Sequence, residues 1–435
     1  MNRREFLTLA SLAPFFGLKE LLAKSDSNIQ KRTLMSSMVR DKNKVLDLHP
    51  KLQYKVISKA GSTMSDGLRL PDLPDGMGAF NVNNNIVLVR NHELHPRSKM
   101  NKSAFKNPEK QMKELGRKHY DKYSIGGTTT VVLNRTTKLV KREFLSLSGT
   151  NTNCSGGVTP WGTWITCEEN IQKKKENTVP HGYAFEVDPR NNFLSDPIPL
   201  KNMGRFHHEA IAFDKFHNAY LTEDRSDGLI YKFVPKNKDS LIEGDLYALK
   251  IQGTKDSRNW KNSSIKANKR YVAKWIKIED VDPSSDTMRY EGYSNGATLF
   301  SRPEGIVAAK DSLYVCCTSG GPLNRGQIWK IIPTNKGETY IELWHEVQDR
   351  SSINMPDNIV VAPWGDLIIC EDNSRLNRLW GITPKGNPYL IAENNYSGAE
   401  FAGVCFSPFD NTLFVNLQQE GLTLSIDGNW QEVIS

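Results

Sequence analysis

The feature that most constrains this chain is a short unit that recurs along it six times. Segments 85–93, 162–170, 218–225, 311–318, 365–373 and 411–417 each carry a turn residue, a β-prone apolar run and a polar or acidic end. A second strand-like run follows each copy, at 128–133, 182–187, 229–234, 327–332, 378–383 and 422–426. A third precedes each copy. Five of these preceding runs open on a polar residue, namely Cys154, Glu209, Glu304, Asp357 and Glu400, and 76–80 is a weaker first copy. A chain of 435 residues would otherwise suggest two or three domains. A small antiparallel sheet cannot bury both of its faces alone, but six packed around an axis can, with a fourth strand of each drawn from the variable stretches between copies. A sandwich does not explain the shared polar ends, and a TIM barrel needs helices between its strands. The expected fold is all-β: a six-bladed β-propeller with small inserted helices and loops, one domain over residues 25–435. Insertions are expected near 104–123, where 107–116 reads as helical, and near 243–295, which is charged and loop-rich.

The first residues point to export. Asn2-Arg3-Arg4-Glu5-Phe6-Leu7 leads into an apolar run over 7–18, the layout of a bacterial signal peptide. The Arg-Arg pair before Phe-Leu resembles a twin-arginine signal. Residues 1–24 are therefore read as a signal, and the mature chain as periplasmic or secreted. An amphipathic N-terminal helix or an uncleaved anchor is the competing reading. The run is too short for an ordinary membrane span, and no other stretch is apolar enough, so no span is expected in the mature chain. The formal charge is +8, which attracts anions such as phosphate esters or nucleic acid. Apart from Lys173, Lys174, Lys175 and the stretch 99–122, the basic residues are scattered. They read as a solvated face, and no specific nucleic-acid partner is expected. The six cysteines show no disulfide spacing, and Cys167, Cys316 and Cys370 sit in apolar runs as buried thiols do.

The spacing within copies carries the functional argument. Cys154 to Glu168, Glu209 to Glu223, Glu304 to Thr318 and Asp357 to Glu371 are each 14 residues apart, while Glu400 to Asn416 is 16. In an antiparallel pair the start of one strand lies beside the end of the next, so both polar positions of a copy share one rim. With the first strand innermost, Cys154, Glu209, Glu304, Asp357 and Glu400 form a ring. A second ring holds Glu93 or Asn91, then Glu168 and Glu169, Glu223 and Asp224, Glu371 and Asp372, and Asn416. So many carboxylates at one mouth repel, and burial sharpens the repulsion, which calls for cations or protons. Carboxylate and amide oxygens suit calcium or magnesium. The Cys154 thiolate suits a transition metal such as iron or zinc. Clustered metals favour phosphoryl or acyl hydrolysis. The plainer alternative is that acids at strand ends serve turns and hydrogen bonds between blades.

Arg302, two residues before Glu304, can stand at the mouth as a fixed cation for a phosphate. Arg90 and Arg225 adjoin acidic positions and offer the same role, or an ion pair that holds a carboxylate in place. His207 reads as surface or packing, and His208 as a partner that orients a ligand. Gly126-Gly127-Thr128 lacks the Lys-Ser/Thr end of a phosphate loop.

These residues resemble those of the PhoX-type alkaline phosphatases. The resemblance runs from about Gly76 to Trp430. It is carried by Arg90-Asn91-His92-Glu93, by Asn153-Cys154-Ser155-Gly156-Gly157 with Thr166-Cys167-Glu168-Glu169-Asn170, by His208-Glu209-Ala210 with Thr222-Glu223-Asp224-Arg225, and by Arg302-Pro303-Glu304-Gly305. Pro356-Asp357-Asn358 and Glu371-Asp372-Asn373 continue it. The resemblance implies a six-bladed propeller, phosphomonoesterase activity on small substrates and a cluster of ferric iron and calcium. It implies Cys154 as an iron ligand, Glu209, Glu223 and Glu304 among the metal ligands, and Arg302 on the phosphate. The other acids of the two rings are candidate metal ligands without an assigned ion, and the chain is expected to act as a monomer. A calcium-dependent lactonase or esterase, and a non-enzymatic binding propeller, are the competing readings of the same architecture.

Overall fold

In the computed structural model of the chain, residues 38–172, 179–261, 263–349 and 352–434 are described. The signal at 1–24 and the run Lys173–Lys175 lie outside them. Six strands start the repeats: Pro74–Val82, Asn153–Val158, His208–Phe213, Pro303–Ala309, Pro356–Val361 and Phe401–Phe406. Each pairs antiparallel with the next strand along the chain. These first strands also neighbour one another in a closed cycle, the sixth lying against the first. The arrangement is all-β and propeller-like.

Period-two alternation explains the packing. Consecutive side chains of a strand point to opposite faces, so a strand buried on both sides feeds two cores. Ile369 packs with Cys316, Ile328 and Trp380, while its neighbour Ile368 packs with Leu379, Val404 and Val415. Similar shared cores fill every gap between successive sheets, including that between last and first, where Met77, Ile86 and Leu88 meet Cys405 and Phe414. All six cysteines are buried free thiols. Close approach at the axis demands small residues. A Cβ on Gly157 would lie 1.9 Å from the Ile211 carbonyl oxygen. Gly403, at φ 61°, closes the cycle against the Asp75 carbonyl, which a Cβ would approach to 2.1 Å.

Among the described residues, hydrogen bonding joins the strands into five sheets, against the six blades expected from the repeat. The reason lies in the region 243–295. It folds as strands Gly244–Ile251 and Arg270–Lys277 and helix Met288–Ser294, not as a loop-rich insertion. Arg270–Lys277 pairs with Thr339–Glu346, the outer strand of the next repeat, and fuses two repeats into one nine-stranded sheet. The expected helix near 107–116 is present at Pro108–Leu115. The N-terminal segment supplies strands that the repeat did not announce: Leu52–Lys59 completes the last sheet beside Leu422–Gly428, and Asp47–Leu48 extends the one before. Among the described residues no helix is long and apolar enough to cross a membrane.

Candidate metal centre

Each first strand carries a β-bulge near its start. The register slips between Pro74 and Met77, Asn153 and Gly156, His208 and Ile211, Pro303 and Ile306, and Pro356 and Ile359. A bulge inserts an extra residue and re-aims its side chain. The first bulged residue in these five strands is Asp75, Cys154, Glu209, Glu304 or Asp357, and all five line one central cavity of about 100 Å³. In the sixth strand the slip comes one residue later, between Ala402 and Cys405.

A second regularity fixes the outer row. The backbone N–H groups of Glu93, Glu169, Asp224, Thr318, Asp372 and Gln418 donate to the carbonyls of Leu73, Thr152, His207, Arg302, Met355 and Glu400, at 2.9–3.2 Å. Each acceptor stands two residues before the inner position. Four of these acceptors hold left-handed backbone without glycine: Leu73, Thr152, Arg302 and Met355, at φ 51°, 47°, 49° and 53°. Each such residue costs about 1–2 kcal/mol, and the recurring N–H bond holds it there. This frame makes Ala402 the sixth inner residue and places Glu400 in the row of Arg302, which accounts for the odd spacing of 16. Glu400 still lines the cavity, entering from the neighbouring position.

The cavity is lined by Asp75, Glu93, Glu169, Glu209, Asp224, Glu304, Asp357, Asp372 and Glu400, with Cys154 and Arg302. Arg302 is its one cation. It forms a bidentate pair with Asp224 at 2.9 Å through Nε and Nη2, contacts Glu304 closely, and lies 3.6 Å from Asp372. Burial, then the charges of Glu93 and Asp357, pushes Asp75 well above the usual carboxylate range. Burial with neighbouring carboxylates does the same to Glu169, Glu209, Glu304 and Glu400. Glu93 is pushed up to about 7 by burial, against the pull of the Gln418 amide. Asp357 rises to about 6, again chiefly by burial. The Cys154 thiol is raised by burial and then by Glu209.

The other candidates lie elsewhere, for a common reason. Where two acids adjoin at the end of a second strand, strand alternation turns the first into the sheet and leaves the second at the mouth. Glu168 accepts from the Asn151 and Gly182 N–H groups at 2.9 and 2.8 Å and meets His181 at 2.7 Å. Glu223 accepts from Tyr231 Oη at 2.8 Å and lies 3.5 Å from Arg289. Glu371 accepts from Asn354 N–H and Trp380 Nε1 at 2.8 and 2.9 Å. Arg90 is buried away from the cavity, on Glu143, Thr129, Ser58 and Thr423. Its ion pair is with Glu143, which is not among the carboxylates of the rim. Arg225 pairs with Asp286 at 2.7 Å. Asn91 spans to the Cys154 and Ser155 carbonyls, and Asn416 to the Asp75 carbonyl. His208 stacks on Phe206 and meets the Gly204 carbonyl. Asp75 is the acid that the repeat reading missed. Its signal was Pro74-Asp75, a proline followed by an acid as in Pro303-Glu304 and Pro356-Asp357.

The donor set fits cations. In two groups the ligand atoms lie within 4.8 Å of one another: Cys154, Glu169 and Glu209, and Asp75, Glu93 and Glu400. Two carboxylates at that separation repel by about 3.5 kcal/mol at an effective dielectric of ~20. Nine carboxylates around one guanidinium stay ionised at neutral pH only with further positive charge among them. The first group mixes a thiol with oxygens and suits a transition metal, while the second is all oxygen and suits a hard cation.

The fold has counterparts. PhoX of Pseudomonas fluorescens, solved in complex with vanadate, a transition state analogue, is 19% identical, with a TM-score of 0.67 over 88% of this chain and 96% of that one. A catalytically inactive virginiamycin B lyase from Staphylococcus aureus aligns over 86% of this chain and 98% of its own, at 13% identity and a TM-score of 0.39. A gluconolactonase from Xanthomonas campestris aligns over 90% of this chain and 100% of its own, at 10% and 0.40. No curated protein sequence matches the chain. The family profile described as alkaline phosphatase PhoX matches residues 33–421. That span is nearly the whole chain and contains every residue of the cavity, so this protein belongs to the PhoX family of alkaline phosphatases, and is a phosphomonoesterase.

Proposed function

We propose that this chain is an exported, monomeric, six-bladed propeller that hydrolyses small phosphomonoesters at its acidic mouth with bound iron and calcium. The blade count rests on the six first strands and on reading the nine-stranded sheet as two blades fused at their outer edges. Export rests on the twin-arginine-like start. The observation that carries the activity is the convergence of nine carboxylates and one thiol around a single guanidinium.

Cys154, Glu169 and Glu209 would hold ferric iron, and Asp75, Glu93 and Glu400 calcium. Glu304, Asp357, Asp224 and Asp372 complete the shared charge. When bound, the metals supply Lewis acidity and neutralise the approach of a phosphate dianion. The chain's own part is positioning. Arg302 offers donors to the equatorial phosphoryl oxygens. Its side chain is 30% exposed and its guanidinium is locked by Asp224 and Glu304, so little reorganisation accompanies binding. The bulges fix the inner side chains on backbone that belongs to a closed ring of strands, which keeps ligand positions from drifting.

The test is release of p-nitrophenol from p-nitrophenyl phosphate at alkaline pH, with elemental analysis of the same sample. Activity with iron and calcium present, abolished by chelator and restored by adding both metals, is the expected result. A metal-replete sample that releases nothing, or one that holds calcium without iron and turns over a lactone, overturns the proposal.

A further inference from the structure

The outer row is acidic in four copies, at Glu93, Glu169, Asp224 and Asp372, but in the sixth copy Gln418 takes the place. Gln418 is buried, at 3% exposed. Its Nε2 donates to Asp75 Oδ2 at 2.6 Å and to Glu93 Oε2 at 2.7 Å, so both of its amide hydrogens are engaged. Its Oε1 accepts from Gln419 Nε2 at 2.8 Å, and Gln419 Oε1 accepts from the Glu400 N–H at 3.0 Å. This relay dictates which end of the Gln418 amide faces the carboxylates. Gln418 N–H also donates to the Glu400 carbonyl at 3.2 Å. One glutamine thus touches all three residues of the oxygen-only group.

We infer that Gln418 is a positioning residue that sets the geometry and limits the charge of the hard-cation site formed by Asp75, Glu93 and Glu400. The inference rests on the metal-site reading above. By donating to one oxygen of Asp75 and one of Glu93, the amide leaves their other oxygens directed to a cation. By being neutral, it keeps a fourth carboxylate out of a group that already repels itself. Partners that orient ligands in this way are typically worth about 10–100-fold in metal affinity, and affinity for calcium rises with the number of charged ligands.

The test is calcium affinity, read by competition with a chelator of known strength on full-length protein purified with its metals. Wild type is compared with Gln418→Met and Gln418→Glu. Loss of both donors in Gln418→Met is expected to weaken calcium about tenfold or more. Gln418→Glu loses the same two donors but adds an anionic oxygen at the same reach, so it is expected to bind calcium more tightly than Gln418→Met. A role in packing alone predicts wild-type affinity in Gln418→Met, which fills about the same space, and that outcome, or equal affinity in the two variants, overturns the inference. Should Gln418→Met fail to fold, Gln418→Leu, which also lacks the donors, takes its place: weaker calcium binding than wild type supports the inference, and equal binding overturns it. Wild type that takes up no calcium at all would fail earlier, at the metal-site reading, and removes this inference with it.

Discussion

Stripping the metals should make the fold acid-loving. Between pH 4.5 and 7 the seven cavity acids that burial raises hold, in the metal-free chain, protons that the unfolded chain has released. Glu93 moves from 4.5 to about 7 on folding, a difference of about 3 kcal/mol at 1.36 kcal/mol per pH decade. Because the folded value is the raised one, this stability is fully present below pH 4.5 and is lost as pH rises through 7. Asp357, raised from 3.8 to about 6, acts in the same direction over a slightly lower window. Asp75, Glu169, Glu209, Glu304 and Glu400 shift the same way, but they interact and cannot be summed. The Glu93 contribution alone corresponds to about 4 °C in the unfolding midpoint of a chain this long. The assay is thermal unfolding followed by circular dichroism from pH 4.5 to 8, on chelator-treated protein and on protein with iron and calcium restored. The midpoint should fall with rising pH in the first sample. In the second it should be higher at pH 7–8 and nearly flat. A metal-free midpoint that stays level or climbs over pH 4.5–7 would refute the electrostatic reasoning.

Five substitutions sharpen the site. Cys154→Ser should cost most of the bound iron and at least a hundredfold in phosphatase kcat, while calcium is retained, as elemental analysis and p-nitrophenyl phosphate turnover will read. Arg302→Ala should lower kcat/KM by about 10²–10³, whereas Arg90→Ala should leave kcat of the folded fraction intact and destabilise the protein by about 3–5 kcal/mol, because Glu143 loses a buried partner. In the paired acids, Asp372→Asn should weaken metal retention with little change in the unfolding of the metal-free chain, and Glu371→Gln should lower that unfolding midpoint and keep the metal content.

The sequence alone determined the repeat, the all-β class and the convergence of acids at one rim. Apolar alternation and turn residues are local signals, and a fixed spacing between polar positions survives as long as the hairpins keep one length. It could not decide which acid of Glu168-Glu169, Glu223-Asp224 or Glu371-Asp372 faces the cavity, since that depends on where the hairpin register ends. Nor could it seat Asp75, whose hairpin is longer than the others, or expose Glu400 as a residue displaced from the inner position that Ala402 holds. Arg90 looked like a mouth cation because it neighbours Asn91 and Glu93, yet alternation turns it into the sheets toward Glu143. The outer pairing of Arg270–Lys277 with Thr339–Glu346, and the N-terminal strand that completes the last sheet, join residues far apart in the chain. Contacts of that kind are set by how the sheets close around the axis, so only the tertiary structure could supply them.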